Sequence, residues 1–257
     1  MKEVLKVENV TKTFTLSKKQ LKIEKTNEKV KVAVNGLSFD AYENEIFGLL
    51  GPNGAGKTTT LRMISTLIKP DSGDIYVNGN SVVKDPSKVR SDLGFLTSEL
   101  KLEDFFTPNY LFDFFSKLHN VDEKTKNERK ESLFKKFGID KFAEVKIGEL
   151  SSGMKQKISL VISIVHDPKI IIFDEPTNGL DVLTAKTVTD FLVDLKEKGK
   201  TIILSTHIFS LVEKLCDRVG IIIDGKMVAC DTLDKLTQKE NLEDLFFTLY
   251  EKEAGEE

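Results

Sequence analysis

The chain has little of several features that mark other classes of protein. Among its 257 residues there are no tryptophans, two cysteines and six prolines. Cys216 and Cys230 are too few for a disulfide framework, and the Met1-Lys2-Glu3 start has no signal-peptide pattern, so we expect reduced, cytosolic thiols. The longest apolar run, from 158 to 165, is interrupted by Ser163 and is too short to span a bilayer. Any membrane role is therefore expected to come through a partner.

The overall charge of the chain favours no particular class of binding partner. Charged residues make up 31% of the chain, hydrophobic residues 40%, and the net charge is -3. These values are typical of a globular protein, and they give no reason to expect nucleic acid as a bulk partner. One local exception is the segment from 15 to 31, which has six lysines against Glu24 and Glu28. We predict a long solvated hairpin excursion there, with binding to acidic lipid or RNA as the alternative.

The segment from 51 to 58 matches the P-loop pattern G-x-x-x-x-G-K-[ST]. It follows an apolar run at 46–50 and precedes a helical pattern, which is the order strand, loop, helix that the motif requires. Glycines let consecutive N–H groups turn inward around phosphate oxygens at a helix N-terminus. We expect Lys57 to reach the β- and γ-phosphates and the Thr58 hydroxyl to ligate Mg²⁺. The candidate nucleotide-binding residues are Gly51, Pro52, Asn53, Gly54, Ala55, Gly56, Lys57, Thr58 and Thr59.

Hydrophobic periodicity predicts an α/β fold with a mainly parallel sheet, an N-terminal antiparallel β subdomain and an inserted helical subdomain. Strand-like runs at 169–173 and 201–205 are separated by a predicted helix at 185–198, as in a parallel βαβ unit. Alternating patterns at 4–10 and 34–41 predict two earlier strands. A strand at 74–79 and a closing hairpin at 219–230 complete the predicted sheet elements. The acidic residues 251–257 are expected to fray.

The helical subdomain is predicted between about residues 100 and 148, where the spacing of apolar residues changes. Thr107 is expected to cap a helix that has Pro108 at its first position. Leu111, Phe112, Phe114, Phe115 and Leu118 follow with helical recurrence, and Leu133, Phe134, Phe137 and Ile139 form another apolar face. We expect these phenylalanines to form a subdomain core, rather than a cofactor site.

Two carboxylates follow the apolar strand pattern at 170–173. Asp174 and Glu175 end this run in the manner of a Walker B segment with a second acid. Asp174 is then expected to hold the Mg²⁺ shell, and Glu175 to orient or deprotonate the water that attacks the γ-phosphorus. A solvated strand end with two acids is the alternative. The Pro176-Thr177 turn and the upstream P-loop favour the site.

The class of nucleotide-binding protein is indicated by the motifs around these acids. Residues 150–156, Leu-Ser-Ser-Gly-Met-Lys-Gln, resemble the LSGGQ signature of ATP-binding cassette (ABC) ATPases, although a helix cap is the alternative for Ser151, Ser152 and Gly153. Residues 179–181 resemble the D-loop, which gives Asp181, and 205–207 resemble the switch-histidine motif, which gives His207. Phe14 matches the aromatic residue that stacks on adenine, with a core position as its alternative. The resemblance extends from about Val4 to Leu236.

The resemblance implies a P-loop NTPase fold of the ABC type. It places a nucleotide-binding domain at 1–236, with a helical subdomain at about 97–148, and a C-terminal helix with an acidic tail at 237–257. Within the family, residues 46–50, 94–98, Met154 and 242–246 are similar to those of bacterial ABC-2 type sodium- and drug-efflux ATPases. The family glutamine that touches Mg²⁺ is replaced by Ser98, followed by Glu99. Either Ser98 acts through a water, or Glu99 substitutes, or Mg²⁺ is held more loosely.

The resemblance also implies a mechanism. Two copies, in a homodimer or pseudo-dimer, would close around two ATP molecules with Mg²⁺, and the signature motif of each copy would face the phosphates held by the other. Lys57, Ser151, His207 and Glu175 would stabilise charge and position water, and a separate integral membrane permease would receive the motion on the cytoplasmic membrane face. The alternatives are a soluble ABC ATPase acting on ribosomes or DNA, and a regulatory nucleotide-binding module without turnover.

Overall fold

The computed structural model describes residues 2–24, 27–97 and 102–255. The chain divides into two compact units, Met1–Arg90 with Ile203–Glu257, and Ser91–Ile202. No helix in the described ranges is both long enough and apolar enough to cross a membrane.

Strands and helices alternate along much of the chain. The chain begins with β1 (Glu3–Thr15), α1 (Lys18–Glu24), β2 (Val30–Tyr42), β3 (Ile46–Leu50), α2 (Lys57–Ile64), β4 (Ser72–Val77), β5 (Asn80–Ser81) and α3 (Pro86–Asp92). It continues with β6 (Leu93–Thr97), α4 (Pro108–Leu118), α5 (Glu123–Phe137), α6 (Ser152–Ser163), β7 (Ile170–Asp174) and α7 (Val182–Glu197). It ends with β8 (Thr201–Thr206), α8 (Phe209–Leu215), β9 (Arg218–Ile223), β10 (Lys226–Thr232), α9 (Leu233–Leu236) and α10 (Leu242–Gly255).

The first unit contains an antiparallel sheet in the order β2-β1-β4-β5, which confirms the predicted N-terminal antiparallel subdomain. In the same unit β3 pairs in parallel with β9, and β9 pairs with β10 in the predicted antiparallel hairpin. All five residues of β3 are buried. A strand buried on both faces gives a fixed base from which the following loop and helix α2 begin.

The solvated hairpin excursion predicted at 15–31 is present, and it contains a mostly exposed helix, α1, that the sequence analysis did not predict. The Ser17 N–H donates to Oε1 of Gln20 at 2.8 Å, and the Gln20 N–H donates to Oγ of Ser17 at 3.3 Å. This reciprocal pair is a capping box, whose S-x-x-Q pattern is visible in the sequence. Strands β1 and β2 remain paired as far as Thr15 and Val30, so the helix lies at the tip of their hairpin.

The second unit contains the parallel pair β6 and β7 together with helices α4 to α7. The hydroxyl of Thr107 caps α4 by accepting from the Tyr110 N–H, with Pro108 at the first helical position as predicted. Phe112 and Phe134 are buried in edge-to-face contact, with ring centroids 5.5 Å apart. The core prediction therefore holds for these two rings.

The predicted core position of Phe114 and the predicted fraying of the chain from residue 251 are both wrong. Phe114 is 49% exposed and Leu118 is 61% exposed, because the apolar stripe of α4 is wider than the face that α5 and α6 cover. The C-terminal residues are helical as far as Gly255 instead of fraying from residue 251. Phe246 anchors this last helix, since its ring is buried against Phe209 with a centroid distance of 5.3 Å.

Candidate nucleotide site

The loop at 51–58 joins the buried strand β3 to helix α2. Gly54 and Gly56 have φ angles of 87° and 100°, in the region that a β-carbon disfavours. Gly56 is the N-cap residue of α2 and has no side chain with which to cap the helix. The first N–H groups of α2 and the positive end of its dipole are therefore directed toward the loop. This is the backbone geometry of a phosphate site.

The side chain of Lys57 is folded into this loop. Its Nζ atom donates to the carbonyl oxygen of Gly51 at 2.7 Å and to that of Pro52 at 3.1 Å, and the residue is only 5% exposed. Thr58, the next residue, is half-buried in the first turn of α2. A positive charge held within a loop of this kind is matched to the negative charge of a polyphosphate.

The loop is braced by residues that the motif does not include. A β-carbon on Gly56 would lie 2.3 Å from the carbonyl oxygen of Ala33, so only glycine fits there. The Gly225 N–H donates to the Ala55 carbonyl at 3.1 Å, and the Gly225 carbonyl accepts from the Asn35 N–H at 2.9 Å. The sequence predicts the hairpin turn at Gly225, but it has no signal that this turn supports the loop.

Two further candidates in the first unit lie near strand ends. Phe14, the penultimate residue of β1, is 40% exposed, which excludes the core alternative for this ring. The Nζ atom of Lys12 lies 5.7 Å from the centroid of the same ring. His207 follows β8 directly and is exposed. The Ile208 N–H donates to Oγ1 of Thr206 at 3.1 Å, so the turn that carries His207 is closed by a hydrogen bond.

The two predicted carboxylates end strand β7. Asp174 is its last residue, is 2% exposed and pairs in register with Thr97 of β6. Glu175 follows with a φ angle of 53°, in the left-handed region that is rare for a glutamate. Strain of this kind occurs preferentially where a side chain must have a fixed direction. Its backbone carbonyl accepts from the Asn178 N–H at 3.1 Å, which closes the following turn.

Ser151 and Asp181 each cap a helix of the second unit. Oγ of Ser151 accepts from the Met154 N–H at 3.3 Å at the start of α6, so the helix-cap reading describes its geometry. Oδ1 of Asp181 accepts from the N–H groups of Leu183 and Thr184, at 3.0 and 3.1 Å, at the start of α7. The hydrogen bonds from Thr184 lower the pKa of Asp181.

The signature and D-loop segments lie against each other. A β-carbon on Gly153 would lie 3.3 Å from Oγ1 of Thr184 and 3.7 Å from Oδ2 of Asp181. Ser152, the first residue of α6, is exposed beside this contact. The structure thus brings together two motifs that are 28 residues apart in sequence, counted from Gly153 to Asp181. Ser98 and Glu99 lie outside the described residues.

The predicted metal ligands fit Mg²⁺ by the chemistry of their donors. Thr58 offers a hydroxyl and Asp174 a carboxylate, both hard oxygen donors. Within 2–24, 27–97 and 102–255, no three His, Cys, Asp or Glu residues are grouped so that they alone would hold a metal ion. Mg²⁺ in nucleotide sites generally takes its remaining oxygens from phosphate and water.

Comparison with known proteins identifies the family. The family model described as "ABC transporter" matches residues 34–178, which is more than half of the chain. The chain belongs to the ABC transporter family. This ABC protein is 38% identical to the ABC transporter ATP-binding protein NatA of Bacillus subtilis (strain 168), over 87% of this chain and 92% of the relative. It is 36% identical to the linearmycin resistance ATP-binding protein LnrL of the same strain, over 81% of this chain and 67% of the relative.

A solved structure supports the same conclusion. A dimeric ATP-binding cassette in a post-hydrolysis state, bound to ADP and Pi, matches with a TM-score of 0.76 and 25% identity, over 89% of this chain and 98% of that chain. The ABC protein is therefore the ATP-binding subunit of a transporter and an ATPase, with the α/β P-loop NTPase fold that the sequence predicts.

Proposed function

We propose that two copies of this chain close around two ATP molecules with Mg²⁺ and that this cycle drives export through a separate membrane permease. The observation that most supports this proposal is the exposure of two large apolar side chains at the start of α7. Val182 and Leu183, directly after Asp181, are 84% and 78% exposed. Adjacent large apolar side chains exposed beside polar groups are typical of an interaction surface. In a two-fold dimer this surface would meet the same surface of the second copy.

The roles of the site residues in this proposal follow from their chemistry. The nucleotide supplies the transferable γ-phosphoryl group and Mg²⁺ neutralises its charge. The Lys57 ammonium pairs with the phosphates, and the oxygens of Thr58 and Asp174 hold the metal. Glu175 accepts the proton of the attacking water, and His207 donates a hydrogen bond to the terminal phosphate.

The other candidate residues complete the proposed binding surface. The loop N–H groups cradle the phosphates, Phe14 stacks on adenine, and Ser151, Ser152, Gly153 and Asp181 belong to the surface presented to the second copy. Ser98 is proposed to contact Mg²⁺ through a water molecule. Catalysis in this scheme is positioning and charge stabilisation.

Export is proposed from the similarity to the efflux relatives. LnrL is named for linearmycin resistance. The resemblance of residues 46–50 and 242–246 to sodium- and drug-efflux ATPases, noted from the sequence, favours the same class. Sodium ion or an organic drug is accordingly the proposed substrate class. The permease would hold the chain at the inner face of the cell membrane.

The test begins with the neighbouring genes: any polytopic membrane protein encoded there is co-expressed with this chain, and the complex is purified. ATP hydrolysis by the complex in lipid vesicles is then measured with and without sodium or drug. We expect co-purification and hydrolysis stimulated by one substrate, and no stimulation in a complex that carries Glu175→Gln. Failure to bind the membrane protein, together with association with ribosomes or DNA, would favour the soluble alternative.

A further inference from the structure

The ladder between β1 and β2 has an irregularity between Lys12 and Thr13, just before Phe14. Lys12 pairs with Val34 of β2, but the next residue, Thr13, pairs with Val32, so Ala33 is an extra residue in the ladder. A bulge of this kind bends a strand pair and changes the direction of nearby side chains. The direction of the Phe14 ring therefore depends on how this bulge is held.

The carboxylate of Asp71 binds β1 at the bulge. Oδ1 accepts from Nζ of Lys12 at 2.6 Å, and Oδ2 accepts from the Thr13 N–H at 2.7 Å and from Oγ1 of Thr13 at 2.8 Å. The ladder between β1 and β4 ends at Thr11 and Ser72. Asp71 thus supplies by its side chain the hydrogen bond that the sheet no longer supplies to the Thr13 backbone.

The same carboxylate connects to the ring of Phe14. The bond from Lys12, followed by those from Thr13, lowers the pKa of Asp71 to about 2, so this carboxylate is ionised at neutral pH. The Lys12 ammonium that it holds lies 5.7 Å from the Phe14 ring centroid, within the range of a cation–π contact. Both residues that precede Phe14 are therefore fixed by one carboxylate, while the ring itself remains 40% exposed.

We propose that Asp71 is a positioning residue for nucleotide binding, because its carboxylate holds Lys12 and Thr13 of β1 opposite the β2 bulge and so directs the Phe14 ring toward the base. The inference rests on the proposed function, in which Phe14 stacks on adenine. Asp71 does not touch the nucleotide in this scheme. Its bonds reach only Lys12 and Thr13 of β1, whereas the Ala33 carbonyl that lies against Gly56 belongs to β2, so we expect its effect to fall on binding of the base.

A merely structural role for Asp71 predicts something different. If its bonds only fasten β1 to β4, removing them would disturb every ligand of the first unit, including one that occupies the P-loop alone. ADP and pyrophosphate, each with Mg²⁺, separate these cases, because both carry two phosphates and only ADP carries the adenosine whose base would stack on Phe14. Neither ligand is consumed by ATP hydrolysis, so binding is measured free of turnover.

The experiment is isothermal titration of ADP and of pyrophosphate into wild type, Asp71→Ala, Phe14→Ala and the double variant. Phe14→Ala is expected to weaken ADP binding about tenfold, the scale of one lost base–aromatic stack. Asp71→Ala is expected to weaken it about fivefold, since the ring stays but loses its fixed direction. Pyrophosphate binding stays unchanged in both, and in the double variant ADP binding equals that of Phe14→Ala alone.

Two further variants complete the design. Asp74→Ala is the matched control: it removes a carboxylate of β4 that accepts from Oγ of Ser81 at 2.7 Å and does not reach the bulge. Thr13→Val removes the hydroxyl partner of Asp71, leaves Lys12 beside the Phe14 ring and provides the same comparison if Asp71→Ala does not fold. The proposal is overturned if Asp71→Ala leaves ADP binding unchanged, or if it weakens ADP and pyrophosphate binding equally. It is also overturned if Asp71→Ala weakens ADP binding as much in the Phe14→Ala background as in wild type. Failure of wild type to bind ADP would instead refute the proposed function.

Discussion

The Nζ atom of Lys57 and the carbonyl oxygen of Gly51 are 2.7 Å apart across the phosphate loop. The lysine therefore lies folded across the loop that precedes its own helix, and it is nearly excluded from solvent. A polyphosphate bound in the loop would place its negative charge beside this buried ammonium.

Lys57→Met is expected to weaken ADP binding roughly 10- to 100-fold, because charge-assisted hydrogen bonds to phosphate contribute about 1.5 to 3 kcal/mol. Methionine keeps most of the side-chain length, so the fold should persist in circular dichroism. Lys84→Met, at an exposed lysine, is the control. Unchanged ADP affinity in Lys57→Met would remove this loop from nucleotide binding.

Gly56→Ala and Gly54→Ala test the bracing of the loop. Both glycines have positive φ angles, and each substitution should cost about 1 kcal/mol of unfolding free energy for that reason. Gly56→Ala should cost about 2 kcal/mol more, since its β-carbon would lie 2.3 Å from the Ala33 carbonyl oxygen and the backbone must shift. At Gly54 the added atom meets nothing within 4 Å among the described residues. Equal losses in urea denaturation would contradict this reading.

Glu175→Gln is expected to retain ATP binding and to lower turnover roughly 10²-fold or more, the scale of a lost general base. The amide has the size of the carboxylate but cannot accept the proton. Steady-state phosphate release measures the effect, with Glu131→Gln on the exposed face of α5 as the control. Near-normal turnover would exclude Glu175 as the base.

The Glu175→Gln variant also tests whether two copies of the chain associate around ATP. With ATP it should elute from size exclusion as a dimer, and without nucleotide as a monomer, because slow turnover holds the closed state. Val182→Asp combined with Glu175→Gln should abolish the dimer, since it places a charge in the exposed apolar surface. A monomer in every condition would count against closure by this chain alone.

Because the rings of His119 and His166 are stacked, we expect the folded protein to lose stability in acid. Their ring centroids are 3.9 Å apart, and Nε2 of His166 donates to the Leu93 carbonyl at 3.0 Å. Burial, reinforced by His119 and then Arg129, lowers the pKa of His166 to about 4, with Asp167 opposing it. Nδ1 has no hydrogen-bond partner within the described residues, so a proton there would be buried unsatisfied.

The sign of the effect follows from the lowered pKa. The unfolded chain binds a proton at His166 near pH 6.5 and the folded chain only near pH 4, so the free energy of unfolding is highest above pH 6.5 and falls between these values. We expect a loss of about 1 to 2 kcal/mol between pH 7 and 4.5, reduced from the full value because the ring is partly exposed. Denaturation midpoints of wild type and His166→Gln measure it, and equal slopes with pH would contradict the assignment.

Local sequence patterns were sufficient for elements whose causes lie within a few residues. The cap at Thr107, the buried strand at β3 and the hairpin at Gly225 each follow from residue types at fixed spacing. Helix α1 was missed although its Ser17-x-x-Gln20 capping box is equally local. The polarity and lysine content of the segment indicate solvation, and they do not distinguish a short exposed helix from an irregular loop.

The sequence by itself determined the phosphate-loop motif with its flanking strand and helix, and the acidic end of β7, because such motifs require neighbouring residues in a fixed spacing. Only the tertiary structure decided that Asp71 holds Thr13, that Ala33 excludes any side chain at Gly56 and that Phe114 is exposed. The first two are contacts between residues far apart in the chain, and the third is the exposure of a side chain. Their geometry depends on strand register and on which faces the helices cover, and neither is encoded in local periodicity.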